Sequence, residues 1–386
     1  VVLNTQRELR LADADSSAYV GFKAPATITS NRVWTLPAAD GTNGQVLSTN
    51  GSGVLSWATT SGGGLTHFVE SESTASPNAT VPVDALTATD ASYTNIDVAI
   101  VAKGTGATLA QVPTSSAAGG NKRGTYVTDL QKQRSTAAQV ASGTNSVICG
   151  GQSNTSSGTN SVVCGGDSNT ASTTGATVAG GGTNTASGGY STVGGGILNT
   201  ASGPYSTISG GRNHTANGEY SFISGGRYGS TRSIIGYHAF PACAVPFSAV
   251  EGATQAGLLM IGRQTTSATA TVLASDNSTP GTTNQVILPN NSAYSFSGEV
   301  IAGVTGAGNT ARWTIAGAIK RGANAGTTAM IGTPTVTMTH NDAGASAWTV
   351  AVTADTTNGG IKVEVTGAAS TTIRWVCKIE TTEMTF

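Results

Sequence analysis

Between residues 141 and 236 the apolar positions of this chain recur every 15 residues, a period that belongs to neither one helix nor one strand. Gly-Gly pairs fall at 150–151, 165–166, 180–181, 195–196, 210–211 and 225–226. Two positions before each pair stands an aliphatic residue: Ile148, Val163, Val178, Val193, Ile208 and Ile223. A second slot holds Ala141, Ser156, Ala171, Ala186, Ala201 and Ala216. A third holds Asn154, Asn169, Asn184 and Asn199, with His214 next in line. Fifteen residues with two turn signals, Ser-Gly and Gly-Gly, are too few for a helix pair and fit one coil of two short strands. Such coils stack about 4.8 Å apart in register, so each aliphatic slot lies over its copy and forms a thin continuous core. One coil cannot bury that row alone, and stacking must stabilise it. A single column of Val/Ile and Ala is a meagre core, so several chains around an axis are expected to cover it.

From residue 271 to 386 the period changes to two. Tyr294, Phe296 and Val300 alternate with polar or small residues, as do Trp313, Ile315 and Ile319, then Val336 and Met338. Trp348, Val350 and Val352 follow, then Ile361, Val363 and Val365, and finally Ile373, Trp375, Cys377 and Ile379. The pattern predicts an all-β antiparallel sandwich or jelly roll. Fully burying each large apolar side chain contributes roughly 1.5–3 kcal/mol before entropy costs, so this head is expected to have its own core.

The remaining segments are less regular. Residues 1–64 hold short alternating stretches, and the turn at Asn50-Gly51-Ser52-Gly53 predicts a hairpin. A shaft or attachment module is expected there, ending in a hinge at Gly62-Gly63-Gly64. Residues 65–140 form a β-rich connecting domain with a β-like run at 96–101 and a short helix expected over 126–134. Residues 237–270 are expected to form a neck broken by Pro241 and Pro246.

Composition narrows the function classes. Charged residues are only 10% of the chain, against roughly 25% in ordinary soluble domains. The surface must therefore be coated with Ser, Thr, Asn and Gly, which suits exposed β-structure. A net charge of −1 without a basic stripe argues against a nucleic-acid partner. No apolar run approaches the ~18 residues of a bilayer span, so no membrane insertion is expected. The opening Val1-Val2-Leu3-Asn4 has no initiator Met and no signal region, so the numbering is expected to begin after a removed stretch. Cys149, Cys164, Cys243 and Cys377 form no C-x-x-C pair and no zinc spacing.

Catalytic motifs are absent: there is no G-x-S-x-G and no phosphate loop, and the four His show no H-E-x-x-H. The reading is therefore no enzyme, with no catalytic residues, no metal and no cofactor. A glycosidase would use paired carboxylates. Asp167 and Glu219 are the roll's only acids and sit in different slots, while Asp342, Asp355 and Glu364 read as solvated charges. Tyr190, Tyr205 and Tyr220 form a column, read as a stacked ladder in preference to a sugar platform. The Asn column reads as an amide ladder. Cys149 and Cys164 lie one coil apart, within disulfide reach, yet their slot simply wants something small and two free thiols are preferred. Asp13 and Asp15 read as turn caps in preference to cation ligands. Receptor contact is expected on loops of the terminal domain, with candidates Asn309, Arg312, Asn324, His340, Asn341 and Asp342.

The N-S-V-x-G-G-like units over 141–236 resemble the head of trimeric autotransporter adhesins of the YadA type, a left-handed parallel β-roll. That resemblance implies a homotrimer with Ile148, Val163, Val178, Val193, Ile208 and Ile223 as its roll core. Unlike those adhesins, the chain is expected to have no signal peptide, heptad stalk or membrane anchor. Its flanks resemble bacteriophage tail-fibre proteins: LRLADADSS at 9–17, VGFKAP at 20–25, WTLPAADG at 34–41, GSGVLSW at 51–57 and KGTGA at 103–107. This implies a virion location, other virion proteins as partners, and adhesion to a host-surface glycan or protein through the C-terminal head. The rival readings are a structural head fibre or capsid decoration, and a polysaccharide-cleaving tailspike.

Overall fold

The computed structural model describes residues 9–15, 17–22, 27–30, 33–59, 68–73, 83–88, 102–241, 249–306 and 308–386. The expected hinge at 62–64, the run at 96–101, Cys243 and Pro246 lie outside the described residues. The chain divides into two units, 1–99 and 100–386. The described residues are all-β, with two 3-10 turns, Ala325–Thr327 and Ala343–Ala345, as their helical content.

The first unit contains antiparallel pairs. Leu9–Ala12 pairs with Tyr19–Phe22, Gln45–Thr49 with Leu55–Thr59, and Phe68–Ser73 with Val83–Ala88. The middle pair is the hairpin expected from its turn. Asn50 Oδ1 accepts the N–H groups of Ser52 (2.9 Å) and Val54 (3.2 Å), while Gly51 and Gly53 take φ of +80° and +94°. Asp13 and Asp15 close their turn as caps, accepting from Ala18 N and Ser17 N respectively. Those hydrogen bonds from Ser17 hold the Asp15 carboxyl below its usual range.

In the second unit the 15-residue repeat folds as a parallel β-solenoid. Val147–Ile148, Val162–Val163, Thr177–Val178, Thr192–Val193, Thr207–Ile208 and Phe222–Ile223 pair in parallel, slot upon slot. Thr155–Ser156, Thr170–Ala171, Thr185–Ala186, Thr200–Ala201 and Thr215–Ala216 make the second ladder. A third, of single bridges, runs through Gln133, Gln152, Asp167, Gly182, Ile197, Arg212 and Arg227. Glycine is required between ladders. At Gly181 φ is +83°, and a Cβ would stand 2.1 Å from the carbonyl oxygen of Gly196 in the next coil.

Ile148, Val163, Val178, Val193, Ile208 and Ile223 are all 0% exposed within the single chain. The expectation that sister chains are needed to cover this column is therefore corrected. The facing inward slot carries only Ala or Ser, so the two ladders approach closely enough for each coil to close over its own aliphatic residue. Core burial thus gives no reason for a trimer.

The parallel ladder continues upstream of 141 through Thr128–Asp129 and Thr108–Leu109. The helix expected over 126–134 does not form. Thr128 N and Leu130 N donate to Ser146 O and Ile148 O, so the ladder has already taken the amides a helix would need. Asp129 occupies the slot of Ile148, between Ile148 and Leu109, and interrupts the aliphatic column with a buried ion triad. Its Oδ2 meets Arg123 Nε at 2.7 Å and Arg134 Nη2 at 3.3 Å.

The Asn column is an amide ladder inside the coil. Each side-chain oxygen accepts the N–H of its copy one coil on: Asn154 from Asn169 (2.9 Å), Asn169 from Asn184 (3.0 Å), Asn184 from Asn199 (3.0 Å) and Asn199 from His214 (3.1 Å). Each Nδ2 bonds two glycine carbonyls, as Asn184 does with Gly180 (2.9 Å) and Gly196 (2.8 Å). His214 reproduces this pattern with a ring. Nδ1 accepts the N–H of Gly229 at 2.8 Å, which leaves Nε2 to donate to Gly226 O at 3.0 Å. Burial holds the imidazole below its usual pKa, opposed by the bond to Gly226. The unfolded chain, titrating near ~6.5, then binds the proton more readily than the folded one. Stability from His214 is full above that value and is lost as pH falls through the lower folded pKa. The melting temperature is expected to fall between pH 7.5 and 5.5 by scanning fluorimetry, and His214→Asn should flatten that fall. An unchanged slope in the variant counts against this role.

The last coil runs into the C-terminal region as one 15-stranded sheet. His238–Phe240 pairs in parallel with Phe222–Ile223 and antiparallel with Thr254–Thr265. Thr254–Thr265 pairs with Ile373–Thr385, which pairs with Ser292–Val304, which pairs with Thr310–Arg321, with Thr335–Asn341 at the edge. A second sheet sets Gly360–Thr366 beside Thr349–Asp355, Thr271–Val272 and Val286–Ile287. Its apolar residues share one core with the long strands: Trp348 packs 5.8 Å from Trp375, which lies 5.6 Å from Trp313. The expected neck is replaced in part by the Thr254–Thr265 strand. Gln255, Gly257, Leu259 and Ile261 face inward there, a register hidden in the sequence because Leu258 and Met260 are apolar too.

A buried cluster joins the last coil to these strands. Glu383 pairs with Arg232, accepts from Tyr237 Oη, and accepts from Thr381 Oγ1 (2.7 Å) and Gln255 Nε2 (2.8 Å). Gln255 in turn exchanges hydrogen bonds with the Ser230 backbone. Burial, reinforced by the Glu383 charge, raises the Tyr237 phenol well above its usual pKa and keeps it a neutral donor.

Candidate functional site

The strand ends that lead away from the last coil gather the expected contact residues, apart from Asn324. Arg312 and His340 are cross-strand neighbours, as are Ala311 and Asn341, and the ladder slips between Arg312 and Trp313. Such a bulge bends an edge and re-aims the side chains beside it. Asp342 Oδ2 accepts the N–H of Thr310 at 2.8 Å, and Asn341 Nδ2 donates to Asp342 O at 2.9 Å, so the chain turns sharply here. The Asn309 side chain lies against Gly344, whose missing Cβ makes room for it. Ile301, Thr310, Ala311, Arg312, Thr339, His340, Asn341 and Asp342 line an open depression of about 620 Å³. Asn324 stands at the other end of the Thr310–Arg321 strand, roughly 35 Å off at the usual rise per residue.

Glu299 and Ile301 were not among the expected site residues. Glu299 Oε1 accepts from Arg312 Nη2 at 2.7 Å, and Ile301 is the cross-strand partner of Arg312. Alternation marks both as outward-facing, but only the hairpin register sets them beside Arg312. The depression thus offers a guanidinium, an imidazole, amides, two bordering carboxylates and one exposed apolar side chain. That mixture can grip hydroxyl and carboxylate groups.

The other sequence candidates serve the scaffold. Tyr190, Tyr205 and Tyr220 stack at centroid distances of 5.5 and 5.0 Å, with interplanar angles of 4° and 7°. Their facing rings cover one another, and Tyr190 also lies over Gly175, as a stacked ladder requires. Asp167 accepts from its neighbour Ser168, and Asp355 accepts the N–H groups of Thr357 and Asn358 in a turn. Glu364 lies 3.5 Å from Lys362. Cys149 and Cys164 are exposed and unbridged, while burial pushes the Cys377 thiol up to about 12. Among the described residues no group of three or more His, Cys, Asp or Glu is placed to hold a metal ion.

No protein-family model matches this chain, and no curated protein matches it. Solved structures that it resembles are phage tailspikes. One is the tailspike gp49 of Acinetobacter baumannii bacteriophage Fri1, a capsular polysaccharide depolymerase, at 8% identity over 67% of this chain and 46% of that chain, TM-score 0.21. Another is the Acinetobacter phage vB_ApiP_P1 tailspike, at 11% identity over 66% and 58%, TM-score 0.21. A third is the Acinetobacter baumannii phage AM24 tailspike, at 9% identity over 62% and 46%, TM-score 0.20. The chain spans about half the length of these structures, and at such TM-scores the likeness carries no argument about what it binds. The comparison does correct one expectation. Reading the chain as no enzyme conflicts with its similarity to a protein described as a depolymerase. The missing linear motifs were a weak basis for it, since paired carboxylates are assembled by register and need no local signature.

Proposed function

We propose that this chain is a homotrimeric fibre or spike of a phage tail that attaches to a cell-surface glycan through the depression around Arg312 and His340. The observation that carries the reading is the gathering of Arg312, His340, Asn341 and Asp342 on one edge of a sheet continuous with the solenoid. A stacked solenoid is a stiff spacer, and an open depression with forked donors suits a saccharide chain. The same reading takes the solenoid as a YadA-type roll, the two-sheet region as a sandwich head, and other virion proteins as partners for the rest of the fibre. Met260 and Val376 stand exposed on the open sheet face, which favours association of copies. Three sites on one particle would turn weak contacts into avidity.

Arg312→Ala with His340→Ala is expected to lower binding of the labelled full chain to a panel of encapsulated bacterial strains by at least tenfold. Light scattering should still report a trimer. Undiminished binding, or a monomeric wild type, sinks the respective part of the reading. A second reading, cleavage of the bound glycan, is favoured by the Asp342 carboxylate that lines the depression and the Glu299 carboxylate paired with Arg312 beside it. Reducing-end release from the strains' envelope polysaccharide, lost in Glu299→Gln, would establish it.

A further inference from the structure

The third solenoid ladder carries a feature that the head site does not use. Its slot is filled by Gln, Asp, Gly and Ile in the earlier coils and by Arg in two successive ones, Arg212 and Arg227. Bridged in register, their Cα atoms lie about 4.8 Å apart and their side chains leave the same face. Among the described residues neither has a carboxylate within ion-pair distance. Arg212 Nε donates to Asn213 Oδ1 at 3.2 Å, and Arg227 Nη2 to Tyr228 Oη at 3.2 Å. Arg227 also packs 4.8 Å from the Tyr228 ring centroid, and its buried Nε has no partner. Two like charges stacked without a counter-ion repel each other, and a spare buried donor adds to that cost. The repulsion is relieved by an anion shared between the two forks.

The chemistry beside the arginines narrows the anion. One coil earlier the same strip presents Ile197 and Leu198, 49% and 43% exposed. Tyr228 stands at the Arg end, so the strip alternates apolar faces with forked donors over three coils. Nucleic acid would call for a longer basic stripe than two residues in a chain of net charge −1. We infer that Arg212 and Arg227, with Asn213, Tyr228, Ile197 and Leu198, form a second glycan site on the solenoid flank. It takes a carboxylate-bearing sugar unit, with the carboxylate held by the two guanidinium groups and the ring's C–H face on the apolar residues. The inference rests on the glycan-binding reading but on a different surface.

The test uses the full chain and isothermal titration with oligosaccharides of hyaluronan, homogalacturonan and polysialate, their methyl-esterified forms, and duplex DNA. At least one acidic oligosaccharide is expected to bind, to weaken at least tenfold on esterification, and to weaken at least tenfold in Arg212→Gln/Arg227→Gln. The variant's melting temperature, which relief of repulsion should keep or raise, shows that it folds. Absence of binding across the panel, equal binding of the esters, undiminished binding by the variant, or equal affinity for DNA overturns the inference. Arg312→Ala/His340→Ala separates the two sites. Titrations unchanged by it while cell adhesion falls support both. Cell adhesion that ignores it and fails in Arg212→Gln/Arg227→Gln overturns the head site and leaves the flank site standing.

Discussion

Glu383→Ala is expected to cost about 3–5 kcal/mol of stability at neutral pH, the range seen when one partner of a buried ion pair is removed. The Glu383 side chain is wholly buried, and four groups converge on it from the last coil and from two strands of the long sheet. Its loss leaves Arg232 charged and only slightly exposed, and Tyr237 Oη without its carboxylate acceptor. Because Arg232 belongs to the coil and Glu383 to the terminal strand, urea unfolding should change from one transition to two as the regions uncouple. Arg232→Met/Glu383→Met should recover most of the loss, since neither charge then remains buried without a partner. A loss below about 1 kcal/mol in the single variant would mean that water already reaches the cluster.

The second large effect is expected at Asn184. Asn184→Ala removes two donations to glycine carbonyls and leaves the buried Asn199 N–H without an acceptor. An orphaned buried donor costs about 1–3 kcal/mol, and each of the two lost neutral hydrogen bonds about 0.5–1.5, which together predict a loss of about 2–6 kcal/mol. The substituents should rank by chemistry. Asn184→Asp should be worse than alanine, because it aims a carboxylate at two carbonyl oxygens. Asn184→His should be the mildest, because His214 already fills that slot with one accepting and one donating nitrogen. Chemical denaturation midpoints of the three variants give the ranking, and an aspartate as stable as the histidine would refute the ladder.

The repeat was legible because its slots are chemically exclusive. Gly181 has both a left-handed φ and a backbone oxygen where its Cβ would be, so no other residue type can fill the slot. Such positions write their geometry into the residue type. The inward residues of the long strands were legible for a similar reason, as at Tyr294, Phe296 and Val300, where alternation coincides with burial. The Thr254–Thr265 strand was misread because both of its faces carry apolar residues. The segment 126–134 forms no helix because ladder partners distant in sequence claim its amides, which its own residues do not register. Of the candidate site, Arg312 and His340 were found as polar groups near turns, but their companionship with Glu299 and Ile301 was not.

By itself, then, the sequence determined the coil period, the slots of the amide and tyrosine ladders and the all-β class. These follow from the chirality of the backbone and from repetition, which places each residue over its own copy. Tertiary structure alone decided that one chain closes its own aliphatic column, that Arg232 meets Glu383, and that Arg312 lies beside Glu299. The first depends on how near two ladders approach, the second on contacts made across 151 residues, and the third on the exact register of one hairpin, and no local pattern encodes any of these.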